Sequence, residues 1–421
     1  MRYQRPRNRR IPDDLVPIPP RGLLPAGLGD MLPPEAALEA RVMELALSRL
    51  AAHGYQRVKP PLVEFEESLL GGPGAALAKD TFRLMDPVSQ RMMGVRPDMT
   101  VQVARIAVTR LKDAPRPLRL SYSGNVIRVR GTQLRPERQF AQVGAELIGP
   151  DSAEADAETV LLAVEALRAA GVEKLSVDLN LPTLVTATCR ALALPAPVVA
   201  RLRRALEGKD EDAVRRVLAD SGDAAGLFTG LLRSVGPADA GLAALAALRL
   251  PADARAEADR LAEVVRLVRA ATDEPRLTID PVEYRGLEYQ TGVSFTFYAL
   301  DTRGELGRGG RYLAGYPEDE GREPDPSVVP IAAAAGSAAA TAVEPATGFT
   351  LYLDTLLGAA RVELPGRRLY VPAGAPWADL ARWQRDGFLT VRGLATVDDI
   401  GAEARRLGCA FALLDGKAVA V

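Results

Sequence analysis

The alternation of apolar and polar residues predicts a β-hairpin over residues 118–149, with a charged loop between two apolar stretches. In its second stretch the alternation has a period of two, which is typical of a strand with one face against a core. The other face carries an amide, a glycine and a carboxylate, and we expect a hollow there that suits a ligand bearing hydrogen-bond donors. The apolar face comprises Ala141, Val143, Ala145 and Leu147, and the polar face comprises Gln142, Gly144 and Glu146.

Arginines cluster at the end of the first predicted strand and in the loop that follows it. They are Arg128, Arg130, Arg135 and Arg138. A guanidinium group binds carboxylates and phosphates through two parallel hydrogen bonds. An ordinary hairpin with a solvated basic loop is the alternative interpretation. Because two ligand-binding features meet on one hairpin, we favour a binding site.

Residues 125–128, 138–140 and 142–146 of this hairpin resemble motif 2 of the class II aminoacyl-tRNA synthetases, and specifically the histidyl type. The resemblance implies an α+β fold in which an antiparallel sheet is flanked by helices. Residues 55–65, which contain two consecutive prolines, resemble motif 1, the segment through which such domains dimerise. Prolines confine a strand to a sheet edge or a special interface, which agrees with that role.

Three further segments resemble histidyl-tRNA synthetase motifs of the amino-acid site. Residues 96–100 resemble Arg-Pro-Glu-Gly-Thr, with aspartate in place of glutamate, and they also precede an apolar helical stretch that Asp98 suits as a cap. Residues 285–292 resemble the Arg-Gly-Leu-Asp-Tyr-Tyr segment, with Gln290 in place of the second tyrosine. Residues 307–312 match the Gly-Gly-Arg-Tyr turn.

The groups that bind nucleotide in the synthetases are reduced here. Residues 348–356 resemble motif 3, but Thr355 holds the position of the arginine that neutralises triphosphate charge. A hydroxyl cannot replace a delocalised cation. Arg130 stands where motif 2 of the family has a nucleotide-binding glutamate. We therefore expect no aminoacylation, no catalytic residues, and neither a cofactor nor a metal ion.

The resemblance assigns roles in a histidine-binding pocket that serves as a sensor or is a remnant of one. Asp98 would bind the ammonium group, Glu146 the imidazole, and Arg128 or Arg285 the carboxylate, while Gln142 would orient the ligand. The change at Gln290 alters the imidazole side. The full candidate set is Asp98, Thr100, Arg128, Gln142, Glu146, Arg285, Tyr289 and Tyr312.

The length of 421 residues predicts more than one domain. Residues 1–20 are arginine- and proline-rich and are expected to be a disordered basic tail. Residues 21–180 and 273–357 are expected to form the synthetase-like core, and residues 181–272 an inserted helical domain. Residues 358–421 read as alternating strands and helices that end in an Asp-Gly hairpin turn, and they predict a small C-terminal α/β domain.

Composition excludes several function classes. The formal net charge of −1 gives no global electrostatic case for nucleic-acid binding, and binding of tRNA is not expected. The only histidine is His53, which excludes histidine-based zinc sites and catalytic triads. Cys189 and Cys409 form no disulfide framework and fit the cytoplasm. No apolar stretch approaches the roughly 20 residues that span a membrane.

A histidyl-tRNA synthetase-like core without the ATP chemistry resembles the family of ATP phosphoribosyltransferase regulatory subunits. This resemblance implies a non-catalytic protein of histidine biosynthesis. Its partner would be the short-form catalytic subunit, its effector histidine, and its assembly a dimer formed through the motif 1-like segment within a hetero-octamer. Two alternatives remain open: a divergent but active histidyl-tRNA synthetase, and a non-catalytic synthetase paralogue that binds tRNA or another amino acid.

Overall fold

The structure is a computed structural model and describes residues 22–132, 135–284, 289–315, 343–364 and 366–421. The expected N-terminal tail and Arg285 therefore lie outside the described residues. The chain forms two compact units, one that ends at Ala360 and one that spans Arg361–Val421.

Within the described residues, a nine-stranded sheet organises the first unit. The strand order is β1-β5-β6-β12-β11-β10-β7-β9-β8. Its central pairs are antiparallel, whereas β1 pairs with β5, and β7 with β9, in parallel. The strands are β1 (Gln56–Arg57), β5 (Leu118–Ile127), β6 (Gln139–Ile148), β7 (Leu175–Asn180), β8 (Gly236–Pro237), β9 (Arg276–Asp280), β10 (Ser294–Ala299), β11 (Gly307–Ala314) and β12 (Glu344–Tyr352). The predicted antiparallel sheet is confirmed.

The predicted hairpin corresponds to β5 and β6, whose pairing runs from Leu118 opposite Ile148 to Ile127 opposite Gln139. Both faces of β6 are buried, including Gln142 and Glu146. The expectation of an open polar hollow at Gly144 is wrong. Tyr122 lies opposite Gly144 in the register, and a Cβ atom at residue 144 would collide with its phenol group.

The motif 1-like segment is not a single strand. It divides into β1 at one edge of the large sheet and β2, which pairs with β4 in a separate sheet of order β2-β4-β3. The prolines at residues 60 and 61 fall between the two strands because they cannot donate the ladder hydrogen bonds. The strands of the small sheet are β2 (Val63–Phe65), β3 (Phe82–Met85) and β4 (Met92–Val95).

Helices pack against the large sheet. Helix α3 contributes Val103 and Ala107 to a core with Leu120 and Phe140 of the hairpin. Helix α1 begins after Pro34 and ends before Gly54, whose φ of +81° suits glycine at a helix end. Helix α4 packs against the central strands β6 and β12 and against α1. These helices are α1 (Glu35–Ala52), α2 (Glu66–Leu69), the 3-10 helix Gly72–Asp80, α3 (Thr100–Thr109), α4 (Ala153–Ala169) and α11 (Leu353–Ala359).

Residues 181–272 are mostly helical, but they are not purely so, because β8 joins the edge of the large sheet. Their helices are α5 (Leu184–Ala191), α6 (Ala196–Glu207), α7 (Glu211–Val217), α8 (Ala224–Arg233), α9 (Ala238–Ala246) and α10 (Ala252–Ala271). These residues belong to the same compact unit as the core. Their description as a separate inserted domain stays a prediction.

A buried ionic cluster ties α10 to the sheet. Asp156 of α4 is fully buried, and its carboxylate accepts hydrogen bonds from Arg311 of β11 at 2.7 and 3.3 Å. Arg260 of α10 donates to the same carboxylate at 3.1 Å. A buried carboxylate with two guanidinium partners is costly to disrupt because removing one partner leaves a desolvated charge.

The second unit alternates strands and helices as predicted. Its sheet has the order β14-β13-β15-β16, with β13 parallel to both neighbours. The turn between β15 and β16 contains Asp415 and Gly416 at φ angles of +47° and +72°, which confirms the Asp-Gly hairpin turn. The elements are β13 (Arg367–Val371), α12 (Trp377–Arg385), β14 (Phe388–Arg392), α13 (Ile400–Arg406), β15 (Phe411–Leu414) and β16 (Lys417–Ala420).

In the part of the chain that the structure describes, no helix is both long and apolar enough to cross a membrane. Across the same residues, His, Cys, Asp and Glu side chains form no group of three that suits a metal ion.

Candidate amino-acid site and the adjoining arginine cavity

The sheet register brings the candidate site together on four neighbouring strands. Glu146 of β6 lies opposite Gly348 of β12, which lies opposite Gly310 of β11. A Cβ atom at residue 348 would collide with the Glu146 carboxylate. The glycine next to Glu146 therefore makes room for a carboxylate inside the sheet layer, where a larger residue would fill the space.

Two tyrosines hold the Glu146 carboxylate. The Tyr122 hydroxyl donates to Oε1 at 3.0 Å, and the Tyr312 hydroxyl donates to Oε2 at 2.9 Å. All three side chains are buried. Burial raises the pKa of Glu146 to about 8, against the opposing effect of the tyrosine hydrogen bonds. Burial also raises the pKa of both tyrosines, so the two phenols keep their protons near neutral pH and Glu146 is the member of the three that exchanges a proton there.

Two threonine hydroxyls extend this network to α3 and β12. Thr350 lies 2.7 Å from the Tyr122 hydroxyl, and Thr100 lies 3.1 Å from it. The two threonine hydroxyls are 3.3 Å apart. A connected network of this kind fixes the rotamer of each member, because each hydroxyl serves its neighbours as donor or acceptor.

Asp98 is fixed at the start of α3 by a separate set of bonds. Its carboxylate accepts from the Thr100 backbone N–H at 2.8 Å and from Gln142 Nε2 at 2.8 Å. Gln142 Oε1 in turn accepts from the Met99 backbone N–H at 3.2 Å. Asp98 thus serves the helix start, as its sequence position predicts, and also faces the site. The Gln142 amide is engaged by the protein and positions Asp98.

The cavity enclosed by these groups has a volume of only about 30 Å³. A drug-sized ligand pocket has at least about 300 Å³, whereas a single water needs about 10–15 Å³. The cavity therefore admits water but no amino acid in this conformation. Gln290 lines it, and its buried Oε1 accepts no hydrogen bond from any described residue.

The structure gathers five of the eight predicted residues around this cavity. They are Asp98, Thr100, Glu146, Tyr289 and Tyr312. Gln142 contacts Asp98, whereas Arg128 lines a different and larger cavity. Arg285 lies outside the described residues. Assignment of these residues to histidine binding stays a prediction.

The larger cavity, called here the arginine cavity, has a volume of about 740 Å³. It lies between the β5–β6 loop and the strands β10 to β12. Phe140 and Tyr352 supply aromatic surface, and Thr355, which holds the position of the motif 3 arginine, also faces it. Its charged lining consists of Arg128, Arg130, Arg135, Arg308, Glu137 and Glu305.

Arg135 is the residue of this cavity whose placement the sequence did not predict. Its guanidinium lies 4.0 Å from the ring centroid of Tyr352, and its Nε lies 2.7 Å from an Asp354 carboxylate oxygen. Its Nη2 donates to the Thr355 hydroxyl at 3.3 Å. An arginine of the motif 2 loop thus reaches the position at which motif 3 lacks its own arginine.

Tyr122 and Thr350 also belong to the Glu146 site, although the sequence did not predict them. Both lie opposite Gly144 in the neighbouring strands. A signal existed for Tyr122, because a large residue opposite a glycine in a hairpin fills the space that the glycine leaves. Thr350 is more than 200 residues from Gly144 in the chain, and no local pattern connects the two.

The fold and the Glu146 site together define a class II aminoacyl-tRNA synthetase-like protein of the histidyl type. The sequence model of the family described as histidyl-tRNA synthetase matches residues 27–356. A structure described as an ATP phosphoribosyltransferase regulatory subunit/histidyl-tRNA synthetase from Bacillus halodurans shares the fold. Its TM-score is 0.73 at 24% identity, over 92% of this chain and 97% of that chain.

Relatives of similar sequence identify a narrower family. The ATP phosphoribosyltransferase regulatory subunit of Rhodospirillum centenum is 52% identical over 399 residues, which cover 95% of this chain and 96% of the relative. The protein of that name from Paramagnetospirillum magneticum is 51% identical, over 92% of this chain and 95% of its own length. The chain belongs to the family of ATP phosphoribosyltransferase regulatory subunits, as the sequence resemblance predicted.

Proposed function

We propose that this chain is a non-catalytic regulatory subunit of an ATP phosphoribosyltransferase in histidine biosynthesis. The observation that carries the proposal is the match at 52% identity, over nearly the whole chain, to a relative of that name. The altered nucleotide groups support it, since Thr355 and Arg130 stand where a synthetase needs an arginine and a glutamate. The partner is the short-form catalytic subunit, whose activity this chain permits or raises.

The effector in this proposal is histidine, bound at the Glu146 site to mediate feedback inhibition. Asp98 would accept hydrogen bonds from the ammonium group, and Glu146 would accept one from the imidazole. Gln142 would hold Asp98 in position, and Arg128 or Arg285 would pair with the carboxylate. Thr100, Tyr289 and Tyr312 complete the pocket.

The small size of the cavity links histidine binding to a change of conformation, and through it to regulation. A cavity of about 30 Å³ excludes histidine, so binding requires a more open conformer. A ligand that binds only the open conformer shifts the population toward it by its differential affinity. Coupling of about 1–3 kcal/mol between this site and the partner interface would then change the affinity of one for its ligand about 5- to 150-fold when the other is occupied.

The assembly proposed by resemblance is a dimer formed through the motif 1-like segment, within a cytoplasmic hetero-octamer. Strand β1 supports the first part, since it is an edge strand of the large sheet and its outer side pairs with no described strand. An exposed edge strand is a surface on which another chain can pair or pack.

The test is the phosphoribosyltransferase rate of the short catalytic subunit from the same organism, with and without this protein, across a histidine titration. We expect the rate to rise on mixing and histidine to suppress the increase. The isolated protein should show no histidine-dependent ATP–pyrophosphate exchange. An unchanged rate together with separate elution of the two chains would contradict the regulatory role, and exchange activity would establish the synthetase alternative.

A further inference from the structure

The arginine cavity is built to attract anions. Four arginines line it against two glutamates. Even when Asp354, which pairs with Arg135, is added to the carboxylates, the positive charges are in excess. Arg308 Nε donates to Glu305 Oε2 at 3.1 Å, and Arg130 is exposed in the loop between β5 and β6. A concave surface with excess guanidinium groups favours ligands with several negative oxygens.

Class II synthetases hold ATP in the corresponding place, and in this structure guanidinium groups already cover the aromatic faces there. A purine gains affinity by stacking on an aromatic face. The guanidinium carbon of Arg128 lies over Phe140, 5.1 Å from the ring centroid, and that of Arg135 lies 5.0 Å from it. Tyr352 meets Phe140 edge-on at 6.0 Å. A base that stacked on Phe140 would have to displace at least one of these guanidinium groups.

Arg135 is not easily displaced. Its side chain is 11% exposed, and that of its partner Asp354 is 13% exposed. It also stacks on Tyr352 and donates to Thr355. Moving Arg135 would leave a largely buried carboxylate without its cation, which is strongly unfavourable. The Arg135 guanidinium, called here the Arg135 cover, therefore lies over Phe140 and Tyr352 as a stable part of the cavity wall.

We propose that the arginine cavity binds a pyrophosphoryl group that carries no stacked nucleobase. Its guanidinium groups recognise the phosphate oxygens, and the Arg135 cover excludes the base. This inference does not require histidine binding, because the described residues that line the two cavities have only Arg308 and Tyr352 in common. Of these described residues, Arg128 is the one residue of the arginine cavity that is also a candidate partner of the histidine carboxylate.

Isothermal titration calorimetry of the full-length protein tests the specificity. The four probes are pyrophosphate, tripolyphosphate, ATP and adenosine. We expect both base-free polyphosphates to bind, with affinity that falls as salt is added, because the attraction is electrostatic. Adenosine should not bind, and ATP should bind no more tightly than tripolyphosphate. Absence of polyphosphate binding, or a preference for ATP over tripolyphosphate of about tenfold or more, would overturn the proposal.

Two variants locate the binding. Arg130→Gln should weaken tripolyphosphate binding about tenfold, the usual effect of losing one charge-assisted hydrogen bond. The control Arg266→Gln changes an exposed arginine of α10 that pairs with Glu263, and it should bind tripolyphosphate like the wild type. Equal affinities in both variants would place the bound polyphosphate elsewhere on the surface and refute the site.

Arg135→Ala tests the cover directly. Removing the guanidinium uncovers Tyr352 and takes away one of the two guanidinium groups over Phe140. Stacking of a base on an aromatic ring is worth about tenfold or more in affinity. We expect the ratio of ATP affinity to tripolyphosphate affinity to rise by about tenfold, even if both ligands bind more weakly. An unchanged ratio in a folded variant would show that Arg135 does not exclude the base. Wild-type titrations decide the proposal independently if this variant fails to fold.

Discussion

The Glu146 site and the arginine cavity adjoin each other on the same strands, but they are built in different ways. In the Glu146 site, the carboxylate, the tyrosines and the threonines bond to one another, and their positions follow from the register of β5, β6, β12 and β11. In the arginine cavity, Arg130 and Arg135 come from a loop. The closed site therefore depends on the fold, whereas an exposed residue of the cavity such as Arg130 can change without altering the sheet.

This difference explains how a synthetase-like fold can keep one half of its site and change the other. A substitution in the hydrogen-bonded network leaves buried polar groups unsatisfied and lowers stability. A substitution in the loop, such as the arginine at residue 130, changes the charge of the cavity at little cost to folding. In the proposed functions, the amino-acid site is thus the more constrained and the phosphate site the more variable.

The largest expected effect is on histidine binding by a Glu146→Ala variant. Loss of the carboxylate removes the imidazole acceptor and one hydrogen-bond partner of each tyrosine hydroxyl, so the Kd should rise at least about 100-fold, or about 2.7 kcal/mol. Calorimetric titration with histidine measures it, and Glu146→Gln serves if the alanine variant does not fold. Glu137→Ala, which changes a carboxylate of the arginine cavity, should bind histidine like the wild type. An equal loss in both variants would contradict the division between the two sites.

A smaller effect is expected from filling the space beside the carboxylate. In Gly348→Ala the new methyl group would meet the Glu146 carboxylate and, at 2.7 Å, the Ala145 carbonyl oxygen. Overpacking of this kind lowers the free energy of unfolding by about 2 kcal/mol. Gly358→Ala in α11 is the control, since its methyl group would have no neighbour within 4 Å. Urea denaturation compares the two, and equal stabilities would show that the site is less rigid than its geometry indicates.

The sequence predicted the parts of this comparison that depend on local pattern. The alternation in β6 located Gln142 and Glu146 on one face, and the motif spacing located Asp98. The expected hollow at Gly144 was wrong because the facing residue depends on the hairpin register, which places Tyr122 there. The contact between Arg135 and Thr355 joins residues 220 positions apart, and no local pattern encodes it.

The division of the motif 1-like segment also depends on pairing between distant elements. Two consecutive prolines indicated a sheet edge or a special interface, but the sequence did not reveal that the strands on either side join different sheets. Likewise, the expectation of helices in residues 181–272 agrees with α10, in which Leu261, Val264 and Val268 are buried. It gave no sign that Arg260 of that helix bonds the buried Asp156. Period and composition determine elements, whereas pairing between distant elements depends on the whole packed core.

The pH dependence of stability separates the two sites by an effect that is smaller for each pH unit. Burial raises the pKa of Glu146 in the folded protein to about 8, compared with about 4.3 in the unfolded chain. The folded state therefore retains a proton that the unfolded state loses between about pH 4.3 and 8. The stability that Glu146 contributes is fully present below this window and is lost as the pH rises through it, by about 1.4 kcal/mol per pH unit.

Glu146→Gln keeps the shape of the side chain and removes its titration. The difference in unfolding free energy between wild type and this variant should change with pH between about 5.5 and 7.5, with the wild type losing its advantage as the pH rises. Other buried carboxyl groups, such as Asp156, are present in both proteins and cancel. Parallel pH profiles for the two proteins would mean that Glu146 titrates as an ordinary exposed carboxyl group does.

The smallest expected effect is on the stability of an Arg130→Gln variant. Arg130 is exposed in the loop, and exposed substitutions change the free energy of unfolding by less than about 0.5 kcal/mol. Urea denaturation should therefore give the wild-type midpoint, although the same variant is expected to lose about tenfold in tripolyphosphate affinity. That combination would separate binding from folding in the arginine cavity. A clear loss of stability would instead make Arg130 part of the folded framework, and the contrast with the Glu146 site would no longer hold.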